Sequence, residues 1–173
     1  MSHAEFHLPW VHQLEIIGSN ASTEIEFIYG GFGEYQTAST ITFRQSNEVL
    51  IAREKTNPNF KFVGDKLSAH KLYATTATLF VPSGLNLHIM VGDCQVTIKG
   101  TLDHIHLQLK SGYCSFEAMT VKSSIESINA NICVLNKMVN VNANSKHGIV
   151  STQYNADFAS NLDIGTTWGN IFH

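Results

Sequence analysis

The chain has 173 residues and a formal net charge of -3 with its nine histidines neutral. That is long enough for one domain with a real core, and it offers no basic stripe for nucleic acid. Hydrophobic residues make up 43% and charged residues only 14%, against about 25% charged in ordinary globular proteins. The polar surface must therefore come from Ser, Thr, Asn, Gln and His. No stretch reaches the roughly 18 apolar residues of a membrane-spanning helix.

Met1 to Trp10 lacks the basic and apolar regions of an export signal, so the chain is expected to be cytoplasmic if complete as given and exported if a signal segment was removed. The first half reads as irregular β-structure. Leu14 and Ile16, then Ile25, Phe27 and Tyr29, then Ile41 and Phe43, then Leu50 alternate or cluster as strands do, with breaks at Gly18 to Ser22 and Gly30 to Gly33. Residues 52–71, with their charge, Asn57-Pro58 and Gly64, predict a loop or excursion. The single domain 1–173 thus divides into an irregular part, 1–78, which forms early coils or a cap, and a regular part, 79–173.

The regular part opens with a strand through Leu79, Phe80 and Val81 and a turn at Pro82-Ser83-Gly84. Five tripeptides then recur: Gly92-Asp93-Cys94, Gly112-Tyr113-Cys114, Asn131-Ile132-Cys133, Gly148-Ile149-Val150 and Gly169-Asn170-Ile171, at spacings of 20, 19, 17 and 21. Leu87, Ile89 and Val91 alternate before the first, and Cys94, Val96 and Ile98 after it. Because side chains at i and i+2 share a strand face, each run has one buried side, and the odd step between runs marks a corner. Ile105, Leu107 and Leu109 give way to Cys114, Phe116 and Ala118 in the same manner, and Ile128 to Cys133 is read as the same odd step. Gly92, Gly112, Asn131, Gly148 and Gly169 are the expected corners, where positive φ suits Gly and Asn. A period of roughly 20 residues on short strands predicts an all-β fold, a single-stranded parallel β-helix or β-solenoid.

Val81-Pro82-Ser83-Gly84-Leu85, followed by serial strand, Gly-x-apolar corner and strand, resembles the bacterial putative-adhesin domain family of unknown function, itself related to putative autotransporter adhesin head domains. The resemblance covers residues 79–173. It implies a right-handed parallel β-helix of few coils and carries no catalytic residue onto this chain. Only Gly92-Asp93-Cys94 keeps the family's acidic turn residue, which weakens any repeated calcium-binding turn.

A shift by one such period would stack Cys94, Cys114 and Cys133 on successive coils. Three thiolates could ligate zinc, but inward cysteines on apolar strands more often pack as small core residues, so core packing is preferred and no metal or cofactor is assigned. The same shift pairs His88 with Gln108 and Asn86 with His106, so Asn86, His88, His106 and Gln108 tile an exposed patch, within which two imidazoles lie within reach of a shared metal or a sugar hydroxyl. Asp93, Tyr113, Ile132, Ile149 and Asn170 would form a second ladder along the corner, making Tyr113 and Ile132 partner-contact candidates.

Acidic residues in the repeats fall in no matching register, which argues against the paired carboxylates of a polysaccharide-cleaving enzyme. There is no phosphate-binding loop or nucleophile elbow. The expected function is therefore non-enzymatic, an adhesin-like module for an unknown protein or glycan partner. A self-assembling cytoplasmic β-helix scaffold is the alternative, and a polysaccharide-active β-helix enzyme the second. Trp168, Ile171 and Phe172, read as lying on the last coil, are candidates for capping the core or for a homodimer contact.

Overall fold

The structure is a computed structural model that describes residues 2–33, 36–61, 73–152 and 158–173. All regular structure in these segments is β, in one mixed, mostly parallel sheet of 14 strands. In chain order they are β1 (His3–Leu8), β2 (Gln13–Ser19), β3 (Glu26–Gly33), β4 (Ser39–Ser46), β5 (Val49–Thr56), β6 (Tyr73–Pro82), β7 (Asn86–Leu102), β8 (His104–Phe116), β9 (Met119–Thr120), β10 (Lys122–Val134), β11 (Asn140–Ser145), β12 (Val150–Ser151), β13 (Asn161–Thr166) and β14 (Ile171–Phe172).

The long strands β7, β8 and β10 each turn a corner midway and lie parallel in strict register. His88 pairs with His106 and His106 with Ser124, and beyond the corner Val96 pairs with Cys114 and Cys114 with Ile132, all at one offset. That offset is 18, the sequence separation of His106 and Ser124, in place of the expected 20. Turn tripeptides slide along the chain between one pass and the next, whereas the backbone ladder does not.

Register creates continuous columns of inward side chains. On the first limb Ala52, Phe6, Ile89, Leu107, Ile125, Ile164 and Ala143 lie one above another. On the second, Ala77, Leu14, Val96, Cys114, Ile132, Ile171 and Val150 do so. Apart from Val150, which is exposed in the last layer, the large members are buried, each contributing about 1.5–3 kcal/mol through burial. The alternation before and after Gly92 and Gly112 therefore reads the inward face correctly. In the third unit it is displaced by one: Ile125, Ala130, Ile132 and Val134 point inward, while Ile128 is exposed and Cys133 only partly covered.

Chain order and layer order differ at both ends. β1 lies between β5 and β7, and β2 between β6 and β7, so the N-terminal pass is sandwiched inside the stack. β13 likewise lies between β10 and β11, and β14 between β10 and β12. Trp168, Ile171 and Phe172 therefore belong to the penultimate layer, not the last.

Two antiparallel strands cover the other end, β3 against β6 and β4 against β5. Phe27 of β3 packs its ring 5.5 Å from that of Phe6. The expected excursion at 52–71 begins late, because Val49–Thr56 is strand with Ala52 and Glu54 turned inward; residues 62–71 lie outside the described set. Buried Glu54 accepts hydrogen bonds from the Trp10 backbone N–H at 2.8 Å and the Tyr29 hydroxyl at 2.7 Å, pinning the end strands to the β1–β2 corner.

Of the five expected corners, only Gly112 has positive φ, at 116°. At Gly169 the constraint is space instead: a Cβ there would overlap the carbonyl oxygen of Ala130 in the neighbouring layer, and one on Gly112 would overlap that of Cys94. Gly92 and Gly148 are crowded in the same way, and Asn131 is accommodated without left-handed backbone. Gly112→Ala is expected to lower unfolding free energy by about 1–3 kcal/mol. Gly165→Ala, where a Cβ meets open space, should stay within about 0.5 kcal/mol. Chemical denaturation of both variants checks this.

Candidate functional site

The first-limb strands present their outward side chains as a flat, regularly spaced face. His3, Glu5 and His7 of β1 lie beside Asn86, His88 and Met90 of β7, which lie beside His104, His106 and Gln108 of β8. Next come Ser124 and Glu126 of β10, then Asp163 of β13. Of the expected patch, Asn86, His88, His106 and Gln108 do share this face. Their pairing differs, because the observed register sets His88 directly against His106 and Asn86 against His104. The two rings of the first pair stand 4.8 Å apart between centroids. Sequence reasoning missed His3 and His7; their His-x-Glu-x-His alternation gave one face, but only the insertion of β1 beside β7 brings it here.

Around these rings lies an open groove of about 400 Å³, lined among others by His3, His88, His104, His106, Lys122 and Asp163. His106 Nδ1 is 2.6 Å from Ser124 Oγ, and His104 Nδ1 is 3.1 Å from the Lys122 carbonyl oxygen. The Gln108 amide donates to Glu126 at 3.3 Å. Glu5 sits between two imidazoles, 3.3 Å from His3 Nε2 and 3.7 Å from His7 Nε2. Only the first is a hydrogen-bond distance. Nε2 of His7 and of His88 are both shielded from solvent without a hydrogen-bond partner. Among the described residues no three His, Cys, Asp or Glu side chains are arranged to hold a metal ion.

The other candidates separate. Cys94 pairs with Gly112, Cys114 with Val96 and Ile132, and Cys133 with Ser115 and Phe172, so no two cysteines are neighbours in the ladder. Cys94 and Cys114 are buried in the core. Burial pushes the Cys94 thiol up to about 12 and raises that of Cys114 as well. The corner ladder forms only in part: Ile149 lies beside Asn170, its N–H donating to Asn170 Oδ1 at 2.8 Å, but Asp93 pairs with Ser111, Tyr113 with Gln95 and Asn131, and Ile132 points fully into the core. Tyr113 is exposed. Ile171 is completely buried, while Trp168 and Phe172 are exposed, Trp168 stacking on the His147 ring at 4.0 Å.

No known protein family profile matches the chain, and no curated protein does. Among solved structures it is similar to a putative cell adhesion protein from Clostridium sporogenes, with a TM-score of 0.53 over 99% of this chain and 91% of that one, at 13% identity. The likeness is one of fold.

Burial, then the facing His106 charge, hold His88 below its ordinary value of 6.5, against a smaller opposing pull from Glu5. The unfolded chain accepts a proton at His88 near 6.5, and the folded chain only at lower pH. Acid therefore favours unfolding as pH falls from 6.5 through the folded value, below which this dependence ends. The denaturation midpoint is expected to fall between pH 7.5 and 5.5, less steeply in His88→Gln. Equal slopes would show that His88 is not responsible. With Ellman's reagent at pH 8, Cys94 and Cys114 should react only as fast as the protein opens, and three thiols should titrate in guanidinium; three fast thiols in the native protein would contradict their burial.

Proposed function

We propose that the protein is a non-enzymatic, adhesin-like binding module built as a right-handed parallel β-solenoid, with one coil completed at each step from His88 to His106 to Ser124. The regular return of parallel strands at a single offset supports the solenoid, and the strong preference of parallel β-crossovers for one hand supports right-handedness. The observation that carries the binding role is the broad outward face of β1, β7, β8 and β10. Histidine and amide side chains there stand at strand spacing, about 4.8 Å apart. Such a surface offers donors and acceptors to an extended, polar partner such as a glycan. The full-length likeness to a cell adhesion protein agrees with this role.

A glycan array probed with the purified protein at pH 7.5 and 5.5 tests the reading. Retention of at least one glycan class is expected, weakened about tenfold by His88→Ala with Gln108→Ala. No retained glycan at either pH would sink the reading. Shortening of a retained glycan would replace it with the polysaccharide-active one. The outer edge of β11 has no strand partner among the described residues, which favours self-assembly as a second reading. Concentration-dependent filaments in sedimentation would support that scaffold role, and a discrete particle would oppose it.

A further inference from the structure

Resting on that reading, we propose that the histidine face is an acid-gated site for a polyanionic glycan, a sugar chain bearing carboxylates or sulfates. Its charged groups can be read strand by strand from the register. β4 contributes Arg44, β5 Arg53 and Lys55, β1 contributes His3, Glu5 and His7, and β7 contributes His88. β8 adds His104, His106 and Lys110, β10 adds Lys122 and Glu126, and β13 adds Asp163, while outermost β11 presents only asparagines. Five fixed cations, Arg44, Arg53, Lys55, Lys110 and Lys122, thus face three carboxylates, Glu5, Glu126 and Asp163. With neutral imidazoles the face carries a small positive charge of about two. Protonating its five histidines in mild acid would add up to about five further positive charges.

Geometry favours an anion over mere charge accumulation. Protonated imidazole has two N–H donors, and Nε2 of His88, one of the groove-lining residues, has no hydrogen-bond partner. A carboxylate or sulfate oxygen laid in the adjoining groove would supply one. Proton uptake and anion binding are then coupled, each strengthening the other. The ligand must be long and flat to lie across strands. It does not need aromatic bases to be recognised, because on this first limb the outward positions of the strands hold no Phe, Tyr or Trp on which bases could stack, exposed Tyr113 lying beyond the corner. A net charge of -3 at neutral pH further repels polyanions until the nine histidines begin to titrate. These features select an acidic polysaccharide, bound in acid and released near neutrality.

The test is fluorescence anisotropy with a size-defined, labelled heparin oligosaccharide in 0.1 M salt at pH 5.5 and 7.5, with calorimetry in two buffers to count protons. Binding is expected to be at least tenfold tighter at pH 5.5, with net proton uptake. The variant His88→Gln, His104→Gln, His106→Gln should lose that gain, and His147→Gln, off this face, should keep it. Glu5→Gln should tighten binding at pH 5.5. Equal affinity at both pH values, absent proton uptake, or a gain surviving the triple variant overturns the proposal. So does equally tight binding of a single-stranded DNA of matched charge, which would make the face a general polyanion surface. Wild-type unfolding above pH 5.5 by circular dichroism, with the triple variant still folded, would reduce the cluster to acid lability and overturn it too. A neutral glycan retained on the array while heparin fails would sink this inference and leave the binding module standing.

Discussion

Parallel backbone pairing at a fixed offset is the constraint from which the other features follow. Once His88 is hydrogen-bonded in register with His106, and His106 with Ser124, every inward residue has an inward residue above and below it. Identical faces then repeat at about 4.8 Å. The core columns, the crowding of Gly169 against the Ala130 carbonyl, and the facing imidazoles are three consequences of that one ladder. The columns also taper: Ala52 and Ala143 occupy the outer ends of one and Ala77 one end of the other.

The β-architecture and most inward positions were legible because period-2 alternation is a local property of each strand. Register was not, because it depends on which backbone groups meet, and the conspicuous residues of the chain report turns. Gly112 illustrates the difference: it is the turn glycine that answers Gly92 in the sequence repeat, yet it stands in the layer position of Cys94. The strand at Val49–Thr56 was hidden by Glu54, whose inward carboxylate breaks the apolar pattern and is tolerated only because Trp10 and Tyr29 hydrogen-bond to it. Three of the five histidines of the face were visible for the same local reason, as His88, His104 and His106 alternate with core residues. The contribution of β1 required knowing that a strand from the very start of the chain lies beside β7, which no repeat period encodes.

That insertion bears on how the stack assembles. β11 and β10 are successive long strands, yet they do not pair; β13 stands between them. The place beside β10 must stay open until the last residues of the chain arrive. At the other end β1 has to be joined on both sides by strands made much later, β5 and β7. A stack that simply grew layer by layer would need neither arrangement. Both ends therefore close through long-range pairing, which is slow because loop entropy is lost before contacts repay it. In return, the first and last passes of the chain lie inside the stack, and an unpaired edge among the described residues falls on β11 instead.

The scarcity of charge on this protein follows from the same ladder. Lysines stacked in register at about 4.8 Å would repel one another at every pH at which the protein works, whereas neutral imidazoles, amides and hydroxyls do not. Histidine is the one basic side chain that can be stacked at neutral pH and still become cationic under mild acid. The cost then appears in the proton affinity of His88, lowered first by burial and then by His106 opposite it. On the proposed reading, stability and binding are two sides of one coupling. The repulsion that weakens the bare face in acid is the interaction a bound polyanion would relieve, so acid should destabilise the free protein more than the glycan-bound one.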